Sequence, residues 1–238
     1  FPFPEDMVQR LTGQTVAQVR RRAKYLLIDT TDGLVFLSHL GMSGRYTLIS
    51  GSETARFHHV DASSNHSKFG ELTGFDGRHD HMEFQFDDGS VAVYTDPRRF
   101  GIADLFERAE EPIQSLLEHL GPEPLEQWTA EDAAIRCKGK RSPIKTTLLD
   151  QRFVVGVGNI YACEALHRSG ISPTRLTHTL VRKNGKPTKA LTELVKHVKD
   201  VLEAAIAVGG STLNDFAAVD GTLGYFGHHF QVYDREDG

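Results

Sequence analysis

The stretch of sequence that says most about the fold is Val154-Val155-Gly156-Val157-Gly158-Asn159-Ile160-Tyr161. Its two closely spaced glycines precede a helical pattern, so backbone N–H groups can approach an anion where the helix dipole favours negative charge. Asn159 could cap this helix or donate to a phosphate. No G-K-[ST] follows, and no strand with a downstream acid frames the glycines, which argues against a nucleotide P-loop and a Rossmann fold. Two interpretations remain: a tight turn that only connects two helices, and such a turn that also binds a nucleic-acid backbone.

The sequence around this stretch indicates helices. Residues 111–120 carry apolar side chains at helical spacing, and Gly121-Pro122 would end that helix. Thr129, with Asp132 three positions on, has the pattern of a helix cap. Further helices are predicted at residues 143–150, 159–169 and 188–208, the last of them ended by Gly209-Gly210. We therefore predict a helical domain over residues 107–210, whose glycine turn, asparagine and preceding basic helix suit a helix–turn–helix that grips a nucleic-acid backbone.

The first hundred residues indicate strands instead. Short runs rich in aliphatic and aromatic residues are separated by glycines and lie at residues 15–19, 25–29, 34–39, 46–49, 82–86 and 91–94. Asp87-Asp88-Gly89 is a hairpin turn. Residues 51–78 are polar, rich in His and Gly and without periodicity, which predicts a surface loop. The predicted fold is α+β, with an antiparallel β-sandwich lobe over 1–106, the helical domain, and a tail of turns over 211–238.

Composition bounds the class of protein. The chain has 238 residues, 39% of them hydrophobic and 25% charged, which is typical of a globular protein. No apolar run is long enough to span a membrane, and the first residues do not resemble a signal peptide. Cys137 and Cys163 form no C-x-x-C pair, so we expect two reduced thiols. These observations predict a cytoplasmic protein, which we expect to be a monomer.

Basic residues are clustered although the net charge is -5. Residues 136–145 hold five cations and no acid, and Arg20-Arg21-Arg22-Ala23-Lys24 is a second cluster. Such runs are more often solvated faces than ligand sites. Two of them on an acidic chain favour a localised phosphate-binding surface.

Two further segments are typical of contacts with bases. Tyr94-Thr95-Asp96-Pro97-Arg98-Arg99-Phe100-Gly101 places two guanidinium groups and an aromatic ring on a turn after a strand. This is either a surface turn with an arginine–aspartate pair or a wedge. In a wedge, arginine reads base edges or fills the gap of an extruded base, and phenylalanine inserts between bases. Met42 lies on a glycine-flanked turn at residues 39–44, and from the residues alone the usual interpretation is a core methionine.

The segment His79-Asp80-His81 is compatible with several kinds of site. On a strand, the two histidines would point to one side. A metal site, a phosphate contact and a satisfied surface pair are all compatible with this spacing. From the residues alone, the chain is predicted to bind a DNA backbone, with a candidate wedge and no identifiable nucleophile.

Taken together, these segments resemble the formamidopyrimidine-DNA glycosylase family over essentially the whole chain. The matching runs are RRAKYLL at 21–27, HLGMSG at 39–44, HDH at 79–81, YTDPRRFG at 94–101, LGPEPL at 120–125, VGVGNIY at 155–161, GGSTL at 209–213, DG at 220–221 and GYF at 224–226. The related endonuclease VIII shares the fold and the asparagine turn, but the methionine and Arg-x-Phe set favours the formamidopyrimidine branch.

The resemblance implies that the helical domain over 107–210 is a helix-two-turn-helix domain. It also implies a base-excision repair enzyme, a DNA glycosylase with abasic-site lyase activity. Its implied partner is double-stranded DNA with abasic sites or oxidised purines, 8-oxoguanine and formamidopyrimidines, which such an enzyme flips out of the duplex. By position, Met42, Arg98 and Phe100 would fill the void and wedge the partner base. Residues 211–221 match the loop that closes over the flipped base. The residues implied to hold phosphates are Lys24, His39, His79, Lys140, Asn159 and Tyr233, with Lys24 also in the catalytic machinery.

The resemblance also identifies family features that these residues do not match. The family's nucleophile is a mature N-terminal proline, whose secondary amine forms a Schiff base, with a glutamate beside it. Phe1-Pro2-Phe3-Pro4 matches a stretch further into the family, and an internal proline has no free amine. The family's first long helix and four-cysteine zinc ribbon are also unmatched, and neither Cys137 nor Cys163 corresponds to a ligand. We therefore expect no bound zinc and no Schiff base from these residues alone, with a non-catalytic damaged-DNA-binding fragment as the alternative function.

Overall fold

The computed structural model describes residues 3–49, 57–61, 77–210 and 230–232. The described residues form two compact units, one of residues 3–114 and one of residues 115–210 with 230–232. Strands make up most of the first unit and helices most of the second, which confirms the predicted α+β class. The predicted domain boundary at residue 106 and the separate tail at 211–238 stay predictions.

Two antiparallel four-stranded sheets build the first unit as far as it is described. The first sheet has the order β1 (Val16–Arg22), β2 (Tyr25–Thr30), β3 (Leu34–His39) and β8 (Ile102–Glu107). The second has the order β4 (Arg45–Ile49), β7 (Val91–Thr95), β6 (Asp80–Phe86) and β5 (Phe57–Asp61). Both sheets contribute to a single apolar core, in which the Phe36 and Phe84 rings meet edge to face at 5.4 Å. The unit is the predicted β-sandwich.

Three elements of this unit differ from the sequence-based expectation. A short helix, α1 (Met7–Leu11), buries both of its terminal side chains in the core. Strand β8 completes the first sheet beside β3. The predicted loop over 51–78 is wrong for residues 57–61, because their backbone pairs with β6. Gly77–His79 forms a 3-10 turn, and the other residues of that loop lie outside the described ranges.

A buried ion-pair network commits part of one basic cluster, the run from Arg20 to Lys24, to the fold. Asp29 is completely buried, and its carboxylate lies 2.7 Å from the Nε of Arg20 and 3.0 Å from a guanidinium nitrogen of Arg108. Arg20 also contacts Glu111 at 2.6 Å, and these hydrogen bonds raise its pKa. Arg21 donates to the carbonyl oxygen of Ala23 at 2.7 Å. Two of the four cations in this run are therefore committed to the fold.

The second unit contains the helices α2 (Ala130–Cys137), α3 (Ile144–Leu149), α4 (Asn159–Arg168) and α5 (Lys189–Ala207). The bounds of α3, α4 and α5 were predicted within a few residues, and the start of α2 was predicted from its Thr129 cap. Thr129 caps α2 in a reciprocal pair with Asp132, and Gly209 and Gly210 follow α5 with positive φ angles. No helix in the described ranges is long and apolar enough to cross a membrane.

The helix predicted over residues 111–120 is wrong. A 3-10 helix at Arg108–Ile113 is followed by turns whose hydrogen bonds reach back three residues, as from Leu120 to Leu117. Pro112 lies inside this 3-10 helix, and the Gln114 N–H donates to the Glu111 carbonyl three residues back rather than to a carbonyl four residues back. Ile113 is consequently exposed while Leu117 is buried, so the apolar spacing does not mark a helix face.

Candidate nucleic-acid interface

Two successive turns at residues 150–157 connect α3 to α4. The Gln151 side chain spans them, because its Oε1 accepts from the Gly156 N–H at 2.9 Å and its Nε2 donates to the Val157 carbonyl at 3.3 Å. Gly156 has a φ of 78°, which L side chains rarely adopt. This turn leads into the first turn of α4, where backbone N–H groups have no partner within the helix and Asn159 is exposed.

Asn159 is the first residue of α4 and does not cap it. The cap position belongs to Gly158, whose extended backbone (φ -107°, ψ -179°) has the conformation that a cap requires. The Asn159 side chain is exposed, and its Oδ1 lies 3.9 Å from the Cys163 sulfur one turn along. Of the two roles predicted for Asn159, the cap is wrong, and the amide remains available to donate to an anion.

Lys140 is held against the same double turn. Its Nζ lies 3.6 Å from a carboxylate oxygen of Asp150 and 5.6 Å from the centre of the Phe153 ring. Its carbonyl oxygen accepts from the His178 backbone N–H at 2.9 Å. The ammonium of Lys140 is thus preplaced at the beginning of the turn that ends at Asn159.

Helix α4 has a second attachment on another side. Glu164 is fully buried, and its carboxylate accepts backbone N–H groups from Gln231 and Val232 at 2.9–3.1 Å. The side chain therefore fixes α4 to residues 231–232, which belong to the described part of the tail.

In the first unit, Lys24 lies in the two-residue hairpin between β1 and β2. The preceding Ala23 has a φ of 54°, a conformation that such hairpins usually assign to glycine. Lys24 reaches the surface, yet the surrounding protein removes enough water to lower the pKa of its ammonium. A strained non-glycine turn with a partly desolvated lysine is typical of a functional site.

His39 ends β3 beside this hairpin. Its ring packs 5.1 Å from that of Tyr25, and its Nδ1 accepts the Gly41 backbone N–H at 2.9 Å. Burial lowers the pKa of His39, and the charge of Lys24 lowers it further. The neutral ring therefore carries its proton on Nε2, where it can donate to a phosphate oxygen.

We expect His39 to make stability depend on pH. Because its folded pKa lies below the ordinary 6.5, the unfolded chain takes up the proton first. This contribution to stability is fully present above 6.5 and is lost as the pH falls through the folded pKa. His39→Gln should flatten the fall in urea midpoint between about pH 7.5 and about pH 5. Exposed His119→Gln is the control, and an equally flattened profile there would contradict the assignment.

The two candidate wedge turns are joined in the structure. Met42 and Phe100 are 54% and 55% exposed, which rules out the core interpretation of Met42. The Arg98 guanidinium lies 5.0 Å from the centre of the Phe100 ring. A Cβ on Gly41 would lie 2.6 Å from the carbonyl carbon of Phe100, so the backbones of the two turns touch. The structure thus brings together Met42, Arg98 and Phe100.

One carboxylate holds these turns, and the sequence did not identify it. Asp96 is 1% exposed and accepts from the Ser43 hydroxyl (2.6 Å), the Gly101 N–H (2.8 Å), the Tyr94 hydroxyl (3.2 Å) and the Arg98 N–H (3.3 Å). Burial alone would raise the pKa of Asp96, but the hydrogen bonds outweigh burial and lower it. The contacts to Arg98 are from its backbone, so the predicted arginine–aspartate surface pair is not formed. The sequence signal that could have identified Asp96 is its place directly after a buried strand, within residues 94–101.

His79 and His81 do not share a strand face as predicted. His79 is exposed in the 3-10 turn Gly77–His79, and only Asp80 and His81 belong to β6. His81 donates from Nε2 to the Asp96 carbonyl oxygen at 2.9 Å, while the Asp96 N–H donates to the His79 carbonyl at 2.9 Å. His81 therefore supports the wedge turns, and His79 presents its ring to solvent.

The residues that the structure describes do not assemble a zinc site. No group of three or more His, Cys, Asp or Glu residues that could hold a metal occurs in the described ranges. Cys137 is fully buried in α2, and burial raises the pKa of its thiol to about 12, which disfavours the thiolate that zinc requires. Tyr233 and residues 211–221, which the family resemblance implicated in DNA contacts, lie outside the described residues.

Comparison with known proteins identifies the family. The family model described as Formamidopyrimidine-DNA glycosylase N-terminal domain matches residues 1–103, and the one described as Formamidopyrimidine-DNA glycosylase H2TH domain matches residues 120–217. The formamidopyrimidine-DNA glycosylase of Agrobacterium fabrum is 44% identical over 99% of this chain and 78% of its own length. The chain belongs to the formamidopyrimidine-DNA glycosylase family. The formamidopyrimidine-DNA glycosylase of Rhodopseudomonas palustris strain BisA53 is 47% identical over 99% of this chain and 78% of its own length.

Solved structures of formamidopyrimidine-DNA glycosylases agree with this assignment. The Lactococcus lactis enzyme in complex with DNA containing an abasic site is 28% identical, with a TM-score of 0.75 over 94% of this chain and 73% of that one. MutM in complex with DNA containing carbocyclic 8-oxo-G is 27% identical, with a TM-score of 0.74 over 94% of this chain and 72% of that one. The double turn before Asn159 thus lies within the family's H2TH domain.

Proposed function

We propose that this protein is a base-excision repair DNA glycosylase and abasic-site lyase acting on duplex DNA that contains oxidised purines. The observation that carries the proposal is the pair of joined turns, which exposes a methionine, a phenylalanine and an arginine from one rigid support. Exposed apolar side chains beside a cation suit insertion into a stack from which a base has been removed. The relatives named as glycosylases favour this function over the alternative of a binding fragment without chemistry.

We assign the following roles within the first unit. Met42 and Phe100 enter the base stack, and Arg98 offers its guanidinium to the edge of the base opposite the lesion. His39 donates from Nε2 to a phosphate, and the Lys24 ammonium stabilises negative charge at the reacting nucleotide. His79, exposed at the end of its turn, is a further phosphate contact.

The second unit supplies backbone contacts in this proposal. Asn159 and the N–H groups at the start of α4 bind one phosphate, because a helix N-terminus favours an anion. Lys140 neutralises a neighbouring phosphate, and Tyr233 is proposed to add another contact. No nucleophile is assigned among the described residues. The proposed compartment is the cytoplasm, where a bacterial chromosome lies.

Fluorescence anisotropy with two duplexes tests the proposal. One duplex carries a single abasic-site analogue and the other is undamaged. We expect the protein to prefer the first, and the double variant Met42→Ala/Phe100→Ala to lose about tenfold or more of that preference, since stacking is worth roughly 1–3 kcal/mol per base. The double variant Val19→Ala/Leu48→Ala removes two comparably exposed apolar side chains from the same unit and should leave the preference intact. Equal affinity of the unaltered protein for both duplexes would refute the proposal.

A further inference from the structure

We propose that Asp96 is the positioning residue that fixes Met42, Arg98 and Phe100 as one preassembled wedge. This inference rests on the proposed function and deepens it, because it concerns a residue that touches neither base nor phosphate in that proposal. Asp96 stands behind the two turns and acts through the groups that it holds.

The hydrogen bonds of the Asp96 carboxylate divide between the two turns. Oδ1 accepts from the Ser43 hydroxyl, next to Met42, and from the Arg98 N–H. Oδ2 accepts from the Gly101 N–H, next to Phe100, and from the Tyr94 hydroxyl. The Ser43 oxygen in turn accepts from the Arg98 N–H at 3.2 Å, so a single polar cluster joins segments 53 residues apart.

The main chain of Asp96 extends the same cluster. Its N–H donates to the His79 carbonyl and its C=O accepts from the His81 ring, both at 2.9 Å. The turn that begins at Asp96 contains Arg99, with a φ of 57°. A non-glycine residue in this region persists only where its surroundings hold it, and the Arg99 N–H donates to the Asp96 carbonyl oxygen at 3.2 Å.

The chemistry of the cluster explains why a carboxylate is required. All four groups that face it are donors, and only an ionised carboxylate offers acceptors to all four. An asparagine has the same shape but one NH₂ group, which must face either the Ser43 and Arg98 side or the Gly101 and Tyr94 side. One turn would then lose its attachment while the other kept it.

The experiment measures wedge insertion separately from affinity. A 2-aminopurine is placed opposite an abasic-site analogue, and its fluorescence is recorded at saturating protein, using the protein as its gene encodes it. At saturation, a variant that is merely less stable still gives the full signal. We expect Asp96→Asn to lower the saturating signal at least threefold and to weaken binding about tenfold, as for loss of hydrogen bonds to a charged group.

Asp29→Asn is the matched control. It makes the same chemical change at an equally buried carboxylate of the same unit, which holds Arg20 and Arg108 and not the wedge turns. It should lower stability without lowering the saturating signal. Ser43→Ala keeps the carboxylate and removes one tether, so it tests the proposal even where Asp96→Asn does not fold. We expect it to lower the signal to a smaller extent.

The outcomes are distinguishable. With the unaltered protein preferring the abasic duplex, a full saturating signal from Asp96→Asn would overturn the positioning role and leave the proposed function intact. Where Asp96→Asn does not fold, a full signal from Ser43→Ala would do the same. Absence of that preference in the unaltered protein would instead refute the proposed function.

Discussion

Replacing Gly101 by alanine is expected to reduce excision of an oxidised purine about 100-fold, the scale of loss that follows when a mutation displaces a reacting group by about 1 Å. A Cβ at this position would overlap the Tyr94 hydroxyl and lie 3.1 Å from the His39 carbonyl oxygen. Tyr94 is buried and hydrogen-bonded to Asp96, so it cannot swing away without breaking the cluster behind Phe100. The free energy of unfolding should also fall by about 1–3 kcal/mol, as in other overpacked cores.

Gly89→Ala is the control for this substitution. Gly89 lies in the exposed hairpin between β6 and β7 with a φ of 83°, and a Cβ there would have no atom within 4 Å. Position 89 requires glycine because of its backbone angle, whereas position 101 requires glycine because Tyr94 approaches too closely for a side chain. We expect Gly89→Ala to cost about 1–2 kcal/mol of stability without altering excision. Urea unfolding and single-turnover excision measure both effects, and equal excision rates for the two variants would contradict the prediction.

Lys24→Gln is expected to have the second large effect, a decrease of about 100-fold in the rate of abasic-strand cleavage. The Lys24 ammonium is partly desolvated, as the lowered pKa indicates, and a positive charge in such surroundings interacts strongly with negative charge that develops during reaction. The strained hairpin at Ala23 fixes its position. Affinity for the abasic duplex should change by less than tenfold, because one phosphate contact among several is lost.

Lys196→Gln is the comparison for Lys24. Lys196 is exposed on α5, and its hydrogen bond to Asp200 raises the pKa of its ammonium, in contrast to the lowered pKa of Lys24. Cleavage by the protein as its gene encodes it, under single-turnover conditions, should not respond to Lys196→Gln. If Lys24→Gln and Lys196→Gln cleave at the same rate, Lys24 is an ordinary surface charge.

Much of the architecture could be predicted from local sequence, for reasons that individual elements make clear. Leu34–His39 was predicted to the residue because its apolar run lies between turn residues. The Thr129 cap and the glycines after α5 are local signals that the structure confirms. Helix α1 was missed because five residues are too few to show a helical period. The wrong helix at 111–120 followed from apolar spacing alone, which does not distinguish an α-helix from the three-residue turns that these residues form.

The candidate site was only partly accessible from sequence. Its exposed members were found because arginine, phenylalanine and methionine are unusual on turns, and the family resemblance supplied their roles. Asp96 was quoted within the motif but not singled out, because its function depends on Ser43, which is 53 positions away. The commitment of Arg20 to Asp29 could not be predicted either, since only the pairing of β1 with β2 brings their side chains together.

The buried carboxylate of Glu164 gives helix α4 a mechanical role. Asn159 and Glu164 are separated by about 7.5 Å along the axis of one helix, at a rise of about 1.5 Å per residue. A displacement of Gln231 and Val232 would therefore reach Asn159 through less than two turns of a stiff rod, with little of the motion absorbed on the way. Helix α4 thus couples residues 231–232, through its buried glutamate, to the proposed phosphate contact at its first residue.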